Sequence, residues 1–78
     1  MNIIIYGTPT CNWCREAKKL CEYNFIEYDY RDLTTMKAVD ANNVVHWAGM
    51  KSVPIIYDGT ALIGGYDAFK KYLKGKKL

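Results

Sequence analysis

The run Cys11-Asn12-Trp13-Cys14 constrains this chain more than any other feature, because of what flanks it. Before it come an apolar stretch, Ile3-Ile4-Ile5-Tyr6, and a turn, Gly7-Thr8-Pro9-Thr10. After it comes a segment of helical character, Arg15-Glu16-Ala17-Lys18-Lys19-Leu20. Two cysteines two residues apart, opening a helix that follows a strand, point to a redox pair rather than a structural crosslink. A thiol attacks a disulfide as the thiolate, and a free cysteine has a pKa of about 8.5. The unpaired N–H groups and partial positive charge at a helix N-terminus stabilise an anion, and thiols placed there reach roughly 3.5–7.5. Cys11 occupies that end and is the expected attacking sulfur. Cys14, one turn further in, is expected to reach back and resolve the mixed disulfide.

Seventy-eight residues read as one domain, 1–78, near the lower size limit for folding without crosslinks. Half are hydrophobic and 14% aromatic, so a compact core is feasible. Three cysteines cannot close a disulfide framework. That argues against a secreted mini-protein and for a reducing compartment, the cytoplasm. No basic stretch followed by an apolar one marks a signal peptide, and no apolar run approaches a membrane span. The net charge of +3 is modest, and five of the last nine residues are lysine. A solvated helix end accounts for that cluster, since cations suit the negative end of the dipole. Neither nucleic acid nor membrane is expected as a partner, and a monomer is expected.

Asn2 to Tyr6 reads as a buried strand closed by Gly7. A helix follows from Cys11 or Asn12 to about Tyr23, with Cys14, Ala17, Leu20 and Cys21 inward and Arg15, Lys18, Lys19 and Glu22 outward. Phe25 to Tyr30 alternates like a half-exposed strand. Asp32 to about Trp47 reads as a second helix, with Leu33, Met36, Val39 or Ala38, and Val44 available for its inner face and Asp32, Thr34 or Thr35 as cap. Val53–Tyr57 and Thr60–Ile63 flank an Asp58-Gly59 hairpin turn. Gly64-Gly65 opens a last helix, Tyr66 to about Lys74, with Phe69 and Leu73 as its i, i+4 core pair. The fold class is α/β, ordered β-α-β-α-β-β-α. A parallel βαβ crossover plus an antiparallel hairpin makes a mixed four-stranded sheet flanked by helices.

With the C-x-x-C pair after the first strand, Ser52-Val53-Pro54-Ile55 opening the third, and Gly64-Gly65-Tyr66-Asp67 joining the fourth to the last helix, the chain resembles the glutaredoxin family of the thioredoxin fold. The resemblance spans nearly the whole chain. It implies no bound cofactor and glutathione as the reducing co-substrate. It also implies a cis peptide before Pro54 and reduction of protein or glutathione mixed disulfides, with ribonucleotide reductase as a client. Tyr6 is then a wall of the glutathione groove, its plainer role being a strand-end core residue, and the backbone of Val53, turned by Pro54, pairs with an extended substrate. The N–H groups at Gly65 and Tyr66 suit a γ-glutamyl carboxylate, and Asp67 suits its ammonium group; a turn glycine and a helix cap are the plainer roles for the same residues.

The chain also departs from the family pattern. Many members have Pro-Tyr where Asn12-Trp13 stands, and a lysine where Thr8 stands. Lys51 or Arg15 is the cation available to replace that lysine, and Trp13 is either a contact for the partner disulfide or a packing residue. His46-Trp47-Ala48-Gly49 is similar to the tryptophan-glycine stretch of glutaredoxin-like reductants of ribonucleotide reductase driven by thioredoxin reductase. A binding module is the third reading: a metal or iron–sulfur carrier using Cys11, together with glutathione; separately, Cys11 and Cys14 could be a structural zinc half-site completed by Cys21 and His46. Cys21 on an apolar helix face is more simply a small buried hydrophobe.

Overall fold

A computed structural model describes residues 1–76 of the chain. Its elements are β1 (Ile3–Gly7), α1 (Asn12–Tyr23), β2 (Tyr28–Asp32), α2 (Ala38–Ala48), β3 (Ile55–Asp58), β4 (Ala61–Gly64) and α3 (Tyr66–Gly75). The sheet order is β2-β1-β3-β4. β1 runs parallel to β2 and antiparallel to β3, with Ile5 opposite Tyr30 on one side and Ile56 on the other. β3 and β4 form the hairpin through Gly59, which sits at φ 62 and so suits a residue without a side chain.

Strand alternation sets the layers. In β1, Ile3, Ile5 and Gly7 are buried while Ile4 and Tyr6 are half-buried. Ile3, Ile5 and Ile56 meet Ala17 and Cys21 of α1 and Phe69 and Leu73 of α3 in a single core. Both helices therefore cover one face, as their apolar stripes require. α2 covers the other face and buries only Val44. Lys70, Lys71, Lys74 and Lys76 are exposed at the end of α3, as a solvated helix end requires. Lys77, from the same cluster, lies outside the described residues.

Two expected boundaries differ by three residues or more, and the third strand starts at Ile55, two residues after the expected Val53. The second strand starts at Tyr28, not Phe25. Phe25 instead ends α1 in a left-handed conformation, φ 55. Its N–H donates to the Glu22 carbonyl at 3.2 Å, and the Ile26 N–H donates to the Cys21 carbonyl at 2.9 Å. This is a Schellman ending with phenylalanine where glycine is usual. The second helix starts at Ala38, not Asp32. Asp32 does act as a cap, but of one 3-10 turn over Leu33–Thr35. Its Oδ1 accepts the Thr34 N–H at 2.8 Å and the Thr34 hydroxyl at 2.6 Å. Such local side-chain bonds compete with helix propagation. Val39, expected on the inner face, is 63% exposed.

Candidate active site

The turn after β1 delivers Cys11 to the head of α1. The Cys11 N–H donates to the Thr8 carbonyl at 3.3 Å, and Cys11 then adopts an extended N-cap conformation, φ −87 and ψ 113. Its sulfur does what a capping oxygen does elsewhere: Sγ accepts the Cys14 N–H at 3.1 Å. An orphan helix N–H thus points at the sulfur. On the other side the Cys11 thiol lies 3.7 Å from the Val53 carbonyl oxygen, to which it donates. Cys11 is half-buried and Cys14 is 1% exposed, and both are free thiols.

Burial pushes the Cys14 thiol up to about 12, and its hydrogen bond with Cys11 adds to this; a hydrogen bond with the Thr8 backbone and the charge of Lys18 act the other way. Gly7 makes the room for this sulfur. A Cβ on Gly7 would stand 2.7 Å from Cys14 Sγ and 3.1 Å from Tyr30 Cε1. From sequence Gly7 is only a strand stop; its role comes from a helix residue crossing over it. Burial likewise pushes Cys21 up to about 11, with a smaller contribution from Glu22. Cys21 lies in the core, and His46 is exposed on α2. Among the described residues, no three His, Cys, Asp or Glu side chains converge to hold a metal ion.

An open cavity of about 390 Å³ lies beside Cys11, joined to it through Val53. Trp13, Val53, Pro54, Gly65, Tyr66 and Asp67 line it together with Ser52 and Ala68. The Val53–Pro54 peptide is cis. Gly65 is the N-cap of α3 and has no capping side chain, so the first N–H groups of that helix lack partners within it. Asp67 lies in the first turn rather than at the cap. Of the two glycines, Gly64 is the conformationally demanding one: it sits at φ 126 and a Cβ there would be 3.0 Å from that of Ala68. Gly65 has room for a Cβ, at 3.8 Å from Met50 Cε and the Pro54 oxygen. The Trp13 and Tyr66 rings lie 5.1 Å apart at 35° and form one aromatic wall, with Trp13 58% exposed.

Six of the expected site residues thus converge. Three others do not line this cavity. Tyr6 points to the α2 face, where its ring meets Tyr57 edge-on at 6.0 Å and its hydroxyl accepts from Arg31 at 3.1 Å. Alternation along β1 decides this, since Tyr6 shares the face of Ile4 and not of Ile5. Thr8 contributes through its backbone, and Lys51 is exposed outside the lining.

A parallel βαβ unit, an antiparallel hairpin and a capped dithiol at the first helix define a dithiol protein of the thioredoxin fold. The glutaredoxin family profile matches residues 3–63. Among solved structures, the chain is similar to a buckwheat glutaredoxin–glutathione complex, at 27% identity and TM-score 0.81, covering 95% of this chain and 70% of that one. It is similar to the glutaredoxin of Brucella melitensis, at 26% identity and TM-score 0.77, covering 99% and 83%. It also shares its fold with the glutaredoxin-like NrdH-redoxin of Escherichia coli, at 18% identity and TM-score 0.76, covering 94% and 93%. No curated protein sequence matches. The chain belongs to the glutaredoxin family, and it is a thiol–disulfide oxidoreductase.

Proposed function

We propose that the chain uses glutathione to reduce protein disulfides and glutathione mixed disulfides through Cys11 and Cys14. The observation that carries this reading is the cavity beside Cys11. It joins the Val53 backbone, the unpaired N–H groups opening α3 and the Asp67 carboxylate. Glutathione carries two carboxylates and one ammonium group. The α3 N-terminus suits a carboxylate, Asp67 suits the ammonium, and Val53 offers backbone pairing.

In this reading the Cys11 thiolate attacks one sulfur of the substrate and expels the other as a thiolate. Cys14 then attacks Cys11 Sγ, forming the Cys11–Cys14 disulfide and releasing reduced product. Two glutathione molecules restore the dithiol, passing through a Cys11 mixed disulfide. Glutaredoxin pairs near −200 to −230 mV lie within reach of a cytosolic glutathione pool. The reading places the protein in the cytoplasm, as a monomer, with ribonucleotide reductase among its clients.

One observation favours a second donor. Among the described residues, Asp67 is the only charged side chain lining the cavity, and no Lys or Arg lines it. The second carboxylate of glutathione therefore lacks a cation there, which suits a redoxin driven by thioredoxin reductase. Turnover of a peptide disulfide coupled to glutathione and its reductase, or to thioredoxin reductase, separates the two. The glutathione reading expects the first to support turnover, and Asp67→Ala to cut kcat/KM with glutathione about ten- to a hundredfold, as loss of a charge-assisted hydrogen bond does. Turnover with thioredoxin reductase alone overturns it. Role assignment has its own test: Cys11→Ser abolishes all activity, whereas Cys14→Ser keeps the reduction of glutathione mixed disulfides.

A further inference from the structure

Cys14 must become a thiolate to attack Cys11, yet it is the most enclosed sulfur of the pair. A charged atom in such a place needs a counter-charge or hydrogen-bond donors. Lys18 supplies the charge. It stands at i+4 from Cys14, hence on the same side of α1 one turn later. The amphipathic pattern assigns Lys18 to solvent with Arg15 and Lys19, but only those two are exposed; Lys18 is half-buried. Its Nζ sits 4.2 Å from the centroid of the Tyr30 ring. The edge of that ring and Cys14 Sγ flank the same space over the bare Cα of Gly7. Tyr30 on β2 therefore links the ammonium group to the sulfur's surroundings.

The titratable and charged groups around Cys14 are Cys11 and Lys18 from its own segment and Tyr30 from β2, with Asp32 acting on Tyr30. Burial first, then Cys14, Asp32 and Cys11, push the Tyr30 phenol up. The ring stays neutral and serves as a π surface for the cation. Lys18 is the one cation in this set.

We propose that Lys18, held on the Tyr30 ring, is a positioning residue for the second half of the reaction, where it stabilises the Cys14 thiolate that attacks the Cys11 mixed disulfide. In that step the Cys14 thiol gives up its proton to solvent, and its sulfur bonds to Cys11 Sγ. The Cys11–substrate S–S bond breaks, and the electron pair leaves on the departing thiolate, which takes up a proton. The dithiol is oxidised by two electrons and the substrate disulfide is reduced by two.

The proposal rests on the role assignment for the two cysteines, and stopped-flow mixing with dithiobis-nitrobenzoate tests both separately. Two equivalents of aromatic thiolate leave. The first has a rate proportional to reagent and reports Cys11; the second is independent of reagent and reports Cys14. In Lys18→Met the second phase is expected to slow about tenfold at neutral pH, as loss of a near charge in a partly buried site implies. Its pH profile should move upward and rejoin the wild type in alkali. Lys18→Arg should recover most of the rate, and the first phase should be unchanged in both. A second phase unaltered in Lys18→Met, or slowed equally at every pH, overturns the proposal. If Cys14→Ser still releases the second equivalent at the wild-type rate, the role assignment itself fails, and the proposal with it.

Discussion

On the face of the sheet beneath α1 and α3, Ile3, Ile5, Ala17, Cys21, Ile56 and Phe69 are at most 1% exposed. On the face beneath α2, Ile55 and Val44 are buried, but Ile4, Tyr6 and Tyr57 are half-buried, Leu62 is 43% exposed and Trp47 74%. One sheet thus has a closed side and a loosely covered side. The chemistry sits with the closed one. Cys11 and Cys14 head α1, and the Gly65–Asp67 wall heads α3, the two helices packed on that core. Sulfur exchange needs fixed positions, and sites on rigidly packed elements hold them better than sites on loops or loose helices. α2 contributes no residue to the cavity.

The sharpest way to break this contrast is truncation on each side. Phe69→Ala is expected to cost about 3–5 kcal/mol in urea unfolding, the range for removing a buried aromatic ring. A loss below 1 kcal/mol would mean that the closed core is not what holds the fold. The next effect has the opposite sign. Phe25 is 96% exposed and holds φ 55, so its side chain has little contact to lose. Phe25→Gly is expected to stabilise the end of α1 by about 0.5–1 kcal/mol, because the left-handed conformation costs a side-chain-bearing residue roughly 1–2 kcal/mol while glycine loses part of that gain in chain entropy. An unchanged or lower midpoint rules this out.

A smaller effect depends on pH. The Asp58 carboxylate accepts from the Tyr72 hydroxyl at 2.5 Å and from the Asn2 N–H at 2.9 Å, tying α3 and the N-terminus to the hairpin. The Tyr72 hydroxyl first, then the Asn2 N–H, hold the Asp58 carboxyl below its usual range, and Asp58 in turn raises the Tyr72 phenol. A lowered acid stabilises the fold above its unfolded pKa, and that contribution is lost as pH falls through the folded one. A raised phenol stabilises below its unfolded pKa and loses the contribution as pH rises through the folded one. The tie therefore operates between the usual Asp and Tyr values, about 4 and 10. Asp58→Asn should lower stability within that window and converge on the wild type in acid. A stability difference that persists unchanged at pH 2 would show that charge is not the cause. The smallest effect belongs to the open side. Trp47→Ala should change stability by less than about 0.5 kcal/mol. A loss comparable to that of Phe69→Ala would show the two faces to be equally packed.

Much of this architecture is legible in the chain. The β-branched run before Gly7, the stripe Cys14-Ala17-Cys21, the Asp58-Gly59 turn and the Phe69–Leu73 pair each appear where local pattern puts them, because each depends on neighbours within one turn or one strand. The misplaced boundaries fall where local chemistry competes. Asp32 captures Thr34 and delays α2, and Phe25 takes a glycine's place, which no propensity announces.

The sequence by itself determined the order of elements, the pairing of Cys11 with Cys14 at a helix start, and the family. Those follow from spacing and residue type, which the chain carries along its length. Only the tertiary structure decided which side chains meet. It brought Val53, Pro54 and Gly65–Asp67 to Trp13, sent Tyr6 to the opposite face and left Lys51 outside. It also set Cys14 against the bare Cα of Gly7 and laid Lys18 over Tyr30. The physical reason is that sheet register and helix docking are collective: one strand's alternation fixes a face only once its neighbours are in place, and charge acts through distances that no spacing along the chain encodes.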